Sequence, residues 1–382
     1  MSSLTAHRVP LSVLELAPVS DGGTAGEALA TALAVAELAD EAGYRRIWFA
    51  EHHVSTGVVS AAPAVLAALA AARTGRIRVG SGAVLLAHTS PALAVEQFAT
   101  IARLHPGRVD LGLGRSGTPP AGSDAAREPT PGSSGGAPAA DRVVDGLLVP
   151  APPPFSFSDA RVRRRFADGA AVVGLRTDVP DYRAELRLAL DLLGPGHRLG
   201  SEVVRSGVGS GSGVEVWALA SSPGESARAA GELGLPLAAN YHVAPSSVLE
   251  TVAAYRAAFR PGVLDRPYVI VSADVLVATT QDRARALARG FEDWVLGVRS
   301  ADGAVAYPRP DRARQTWSDA ELALVADRSR TRFVGDGPSV VAGLDALRLA
   351  TAADEVLVTT IAHDPEARLD SFRLLAAAWA TP

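Results

Sequence analysis

Five of the chain's eight histidines fall just past stretches that read as β-strands: His52, His53, His88, His242 and His363. Imidazole exchanges protons near neutral pH, so this placement points to acid–base chemistry at strand ends. Adjacent His52 and His53 face opposite sides if their strand continues. No carboxylate-rich ligand set accompanies them, which disfavours a metal site. Arg115 stands beside small residues at another strand end, a setting that suits an anionic group. The pattern leaves a rim salt bridge equally open. Ser221-Ser222 precede a helix, whose free amides and dipole would join the two hydroxyls around an anion. A plain N-cap, which needs only one of the serines, is the simpler reading of that pair taken alone. Arg115 and the serines together would clamp one phosphate. Gly112-Leu113-Gly114-Arg115-Ser116-Gly117 has the GxGxxG spacing. Its third glycine leads into Thr118-Pro119-Pro120, which cannot open the helix a dinucleotide fingerprint requires.

These groups need a scaffold that gathers strand ends on one side. RRIWFA runs into Glu51-His52-His53, IRVGSGAVLL into Ala87-His88-Thr89-Ser90-Pro91, and RVDLGLG into Arg115-Ser116-Gly117. Helical patterns separate the three strands, so they should be parallel, with their C-terminal ends together. Chemistry in a parallel α/β fold sits at those ends. Strands are expected at 9–16, 46–50, 77–86, 108–113, 214–220, 236–241, 268–278 and 355–360, with a helix after each. Thr24 to Glu27 reads as a capping box, Ser90-Pro91 and Asp364-Pro365 as caps followed by a first-turn proline, and Ser222 to Glu225 as a similar signal. One helix is expected over 281–298. Eight βα units predict an α/β fold, a (β/α)8 TIM barrel forming a single domain over 1–382. A Gly/Pro/Ser-rich, flexible insertion is expected at about 117–177, after the fourth strand.

Composition sets limits. With 382 residues, of which 48% are hydrophobic, the chain can bury a large core, and a net charge of −4 gives no case for nucleic acid. Pro10, Glu15 and Pro18 interrupt any signal-peptide pattern. The longest apolar stretch, 58–72, contains Ser60 and Pro63 and falls short of the roughly 18 residues of a membrane span. A soluble, cytoplasmic protein is expected, without membrane attachment. There is no cysteine, and all 37 basic residues are arginine. Thiolate nucleophiles, cysteine-ligated metals, lysine Schiff bases and P-loops are therefore excluded. A high-GC genome explains the missing lysine, and the exclusions hold regardless.

With the EHH strand end, the VGSGAVLL strand and the PGRVDLGLGRSG segment in this order, the chain resembles the bacterial-luciferase-like flavin-dependent oxidoreductases. The resemblance covers 9–115 and then 214 to the C-terminus. It is nearest the single-chain alkanal-monooxygenase-like branch, which includes natural-product enzymes. It implies a barrel that binds reduced FMN at its C-terminal face. His52 matches the catalytic histidine, an acid/base that also protects the oxygenated cofactor. Gly82-Ala83 match a non-prolyl cis peptide beneath the isoalloxazine ring, and Ser81, Gly82 and Ala83 are expected to bind the cofactor there. Arg115, Ser221 and Ser222 match phosphate-binding positions, and Tyr241 an aromatic at the flavin's edge. The implied activity is a two-component monooxygenase: a separate flavin reductase supplies FMNH2, and O2 gives one atom to a hydrophobic small-molecule substrate. A homodimer is expected. Two alternatives are a deazaflavin- or FMN-dependent dehydrogenase on the same barrel and a non-catalytic flavin-binding subunit. Gly114 stands where bacterial luciferase has a reactive cysteine, so no thiol acts there.

Overall fold

The computed structural model describes residues 8–115, 140–154, 160–176, 181–300 and 303–381. Its first strands and helices alternate: β1 Leu11–Glu15, α1 Ala25–Glu41, β2 Arg46–Phe49, α2 Pro63–Arg73, β3 Arg78–Ser81, β4 Val84–Leu85, α3 Pro91–Leu104 and β5 Val109–Gly114. The middle of the chain carries a hairpin (β6 Arg142–Val144, β7 Leu147–Val149), α4 Ala160–Val173, α5 Tyr182–Leu193 and a second hairpin (β8 His197–Leu199, β9 Glu202–Val204). Alternation then resumes with β10 Glu215–Ala220, α6 Glu225–Glu232, β11 Leu237–Asn240, α7 Val248–Ala258 and β12 Val269–Val277. The chain continues through α8 Gln281–Ala288, α9 Phe291–Arg299, α10 Asp319–Ser329, β13 Phe333–Gly335, α11 Gly337–Thr351, β14 Glu355–Thr359 and α12 Pro365–Ala380. Eight parallel strands close a ring in the order β1, β2, β3, β5, β10, β11, β12, β14, which returns to β1. This is the expected (β/α)8 barrel.

Strand alternation decides what fills it. Val13, Ile47, Val79, Leu111 and Val271 face outward and pack against the helices. Leu14, Trp48, Trp217, Ile270 and Leu357 form the inner cluster. Below them, at the N-terminal end, Arg46 is 1% exposed and joins two strands at once. Its Nε donates to Glu355 Oε1 at 2.8 Å and its Nη1 to Asp110 Oδ2 at 2.6 Å. Arg78 pairs with Asp110 and Glu215, Trp48 Nε1 donates to Asp110 at 2.9 Å, and Tyr268 donates to Glu355 at 2.8 Å. Ser12 also donates to Glu355. Buried charges persist when their hydrogen-bonding capacity is met in this way. Gly112 lets the strands close over this layer: a Cβ there would lie 2.1 Å from the Ser81 carbonyl oxygen.

Several local expectations hold. Thr24 and Glu27 form a capping box, with Glu27 N donating to Thr24 Oγ1 at 3.2 Å and Thr24 N to Glu27 Oε2 at 2.7 Å. Ser90 and Asp364 cap α3 and α12. Others need correction. The third strand divides into β3 and β4 at Gly82-Ala83, whose peptide bond is cis. The helix expected over 281–298 breaks at Gly290, which has φ +92° and sits where a Cβ would meet Pro308 at 2.5 Å. Ser222 is not a helix cap: Pro223 and Gly224 form a turn, and α6 starts at Glu225 with Gly224 at its N-cap. Within the expected insertion, 142–149 forms a hairpin and 160–173 a helix; residues 116–139, 155–159 and 177–180 lie outside the described residues. Among the described residues, no helix is long and apolar enough to cross a membrane.

Candidate active site at the barrel mouth

A cavity of about 920 Å³ opens at the C-terminal ends of the strands. Glu51, His52, His53 and His88 form one wall, and α4 forms the opposite wall with Arg161, Arg164, Phe166 and Val173. His52 is held by its backbone amide, which donates to the Ser60 carbonyl at 2.8 Å. Its Nδ1 is buried without a partner among the described residues. Burial, with a smaller contribution from His53, pushes its pKa down to about 4, so the ring is neutral at pH 7. A neutral imidazole with an unengaged nitrogen can accept or deliver a proton at that atom.

Its neighbours are fixed more firmly. His53 Nε2 lies 2.7 Å from Glu51 Oε1, and Leu85 N donates to the other Glu51 oxygen at 3.2 Å. The carboxylate thereby ties the loop after β2 to β4. The His53 and His88 rings meet edge to face at 5.3 Å, and His88 Nδ1 is also buried and unpartnered. On a different sector His242 is buried, with Nδ1 2.6 Å from Ser272 Oγ. Burial, then the positive charge of Arg328 and the proximity of His52, push its pKa down to about 3. The fifth histidine does not join this group: His363 Nε2 donates to the Asp21 carbonyl oxygen, 3.0 Å away, as a loop tie.

The expected phosphate residues share one sector because β5 and β10 are adjacent, with Leu113 opposite Ala218. Arg115, 46% exposed, follows β5 and pairs with Glu225 at the first turn of α6. The other Glu225 oxygen accepts from Tyr182 N at 2.9 Å. Ser221 and Ser222 are exposed after β10, and Asn240 Nδ2 donates to Ser221 Oγ at 2.9 Å. No side chain caps α6. Ser81 points elsewhere: its hydroxyl is buried between strands, donating to the Gly112 carbonyl at 2.9 Å and accepting from Gly112 N at 3.0 Å. Tyr241 is placed outside the mouth. It is buried in the outer layer, stacks on Phe333 at 6.1 Å, and donates to the Leu148 carbonyl at 2.7 Å.

Sequence reasoning missed a second group. Asp274 pairs with Arg332 at 2.7 Å, and Arg299 with Asp327 at 2.8 Å, beneath α9 and α10. Arg328 lies between them, its Cζ 5.3 Å from the Trp294 ring centroid. The available signal was Ser272 and Asp274 at alternate places in the apolar run VIVSADVLV, which puts both side chains inside the barrel.

The profile of the luciferase-like monooxygenase family matches residues 9–130 and 163–369. A relative from Escherichia coli (strain K12), named luciferase-like monooxygenase, is 33% identical over 372 residues, covering 97% of each chain. The crystal structure of apo-MsnO8 superposes with a TM-score of 0.72 at 30% identity, covering 98% of this chain and 99% of that one. The oxygenating constituent of 3,6-diketocamphane monooxygenase, a type II Baeyer–Villiger monooxygenase solved with FMN, has a TM-score of 0.62 at 17% identity and 98% coverage of both chains. At that identity the likeness is one of fold.

Proposed function

This chain belongs to the luciferase-like monooxygenase family, and on that premise we propose that it is the oxygenating half of a two-component system. A separate reductase supplies reduced FMN, and the substrate is a hydrophobic organic molecule. The observation that carries this reading is the unpartnered, neutral His52 in the wall of a large cavity at the strand ends. Reduced FMN, when bound, supplies the electrons that activate O2, one oxygen atom going to substrate and the other to water.

The residues present suit that cofactor. Arg115, Ser221, Ser222 and the uncapped amides of α6 would hold its phosphate. The Arg115–Glu225 pair is exposed on both sides and is therefore exchangeable. The small Gly82-Ala83 edge, with Ser81 locking β3 to β5 behind it, offers backbone on which a flat ring can rest. Tyr241 would brace this arrangement from the outer layer. Residues of α4 line the cavity, and His52 would hold or move the proton exchanged with the oxygen being transferred. An assembly of two such barrels and the reductase belong to the same proposal.

A charge-assisted hydrogen bond is worth roughly 1.5–3 kcal/mol, and each 1.4 kcal/mol is about tenfold. Arg115→Ala should weaken FMN binding by about ten- to a hundredfold in a fluorescence titration and leave riboflavin affinity unchanged. His52→Ala should retain FMN while the reduced cofactor is oxidised with little product and more hydrogen peroxide. Unchanged FMN affinity in Arg115→Ala would make that residue a rim ion pair. Preferential binding of a deazaflavin would shift the reaction to hydride transfer.

A further inference from the structure

Among the described residues, the group around Arg328 has one more positive charge than it pairs. Arg299 has Asp327 and Arg332 has Asp274, whereas Arg328 makes no side-chain hydrogen bond or ion pair among the described residues. It is 7% exposed. Burial lowers its pKa to about 10, so it remains cationic at neutral pH. The faces of Trp294 and Phe291, 5.3 and 5.9 Å away, stabilise the cation in part but accept no hydrogen bond from its edge. Three further buried atoms nearby lack partners: Arg332 Nη1, Asp274 Oδ2 and Trp294 Nε1. A buried, incompletely compensated cation is costly in a folded protein, and unpaired buried donors mark places where a ligand or ion completes the set.

Its position distinguishes it from the cofactor sector. In the closed ring, β12 and β14 stand opposite β3 and β5. Asp274 is on β12, and the Ile361 carbonyl that receives Arg332 follows β14. The phosphate residues and the Gly82-Ala83 edge lie on the β3–β5–β10 side. His242, which feels the charge of Arg328, and His52 stand between the two sectors. Being neutral, neither histidine supplies the missing counter-charge, nor do they add to the excess.

We propose that Arg328 binds a carboxylate on the substrate, so that this enzyme oxygenates an apolar carboxylic acid held by its acid end opposite the flavin's seat. One surplus charge calls for a monoanion. The planar guanidinium fork beside the Trp294 and Phe291 rings fits a carboxylate, and Trp294 Nε1 offers a further donor. Asp274 Oδ2, a second acceptor, disfavours a dianion such as phosphate. The apolar remainder of the acid then extends across the mouth toward Gly82-Ala83 and His52.

The inference rests on the proposed function for its chemistry but not for its binding test, which uses the protein without flavin. Hexanoate and N-hexanoylglycine are titrated by calorimetry, with hexanamide as the uncharged counterpart. At least one acid should bind saturably to the wild type, Arg328→Gln should weaken it at least tenfold, and hexanamide should not distinguish the two proteins. Arg328→Met, which keeps the stem against Trp294, replaces the glutamine variant if that one does not fold. Failure of both acids to bind the wild type, or equal binding to the variant, overturns the proposal. So does a loss of FMN affinity in the variant, since that would assign Arg328 to the flavin. Wild type that binds the acids but not FMN would instead defeat the proposed function and leave the carboxylate site standing.

Discussion

The barrel buries arginine at both ends, among carboxylates and aromatic rings, yet the two ends treat the charge differently. At the N-terminal floor, Arg46 donates to Asp110 and Glu355 and lies 4.6 Å over the Trp217 ring, and Arg78 engages Asp110 and Glu215. None of these charged side chains has an unpartnered buried atom. At the C-terminal mouth, Arg328, Arg332, Asp274, His52 and His88 each retain one. Satisfied polar networks rigidify a core, whereas partly satisfied ones are destabilising unless something else completes them. The charged groups of the floor are therefore finished as a piece of structure, leaving only Trp217 Nε1 without a partner among the residues named there, whereas those of the mouth are finished only with their ligands.

The contrast can be broken most directly by removing one arginine from each end. Arg46→Met leaves Glu355 and the Asp110 oxygen not held by Arg78 without their buried cation, and should cost about 3–5 kcal/mol, measured by urea unfolding. Arg328→Met removes a cation that lacks a partner, so stability should stay level or rise. Equal losses would show that the two ends are energetically alike.

A smaller effect separates them by pH. His52 and His242 have pKa values of about 4 and 3 in the folded protein, below the ordinary 6.5, because burial disfavours the charged ring. The folded state thus binds fewer protons than the unfolded one. Stability is fully present above pH 6.5 and falls as the pH drops through 4 toward 3. His242→Gln should flatten that decline, whereas an apolar substitution inside the barrel such as Ile270→Val should leave its slope unchanged. A slope indifferent to His242 would mean that the mouth histidines are not the acid-sensitive element.

The least effect is expected at the edge of the mouth. Glu225 holds Arg115 in an exposed pair worth about 0–1 kcal/mol. Glu225→Gln should leave stability nearly unchanged and tighten FMN binding a few-fold, because phosphate no longer competes with a carboxylate. Weaker binding would mean that Glu225 orients Arg115 for phosphate.

The barrel itself was legible in the sequence because its signals are local. Alternating apolar strands, the Thr24–Glu27 box and the Ser90 and Asp364 caps each depend on neighbours a few residues away. The mouth histidines were readable for the same reason, as polar residues that follow strands. What escaped depends on distant contacts. Gly290 breaks a helix with its left-handed φ of +92°, and Pro308 packs where its Cβ would be, a meeting that nothing in the intervening sequence announces. Arg328 acquires its character from Trp294, Asp274 and Asp327, which three different elements bring together. Tyr241 showed the limit of resemblance, since a matching position did not fix which side of the barrel its ring would occupy.

Trp48 and Trp217, their rings 5.1 Å apart, fill the middle of the barrel above Arg46, and all three are almost wholly buried. They make the barrel a blind well. Whatever binds at the strand ends, cofactor or substrate, must enter and leave by the same aperture.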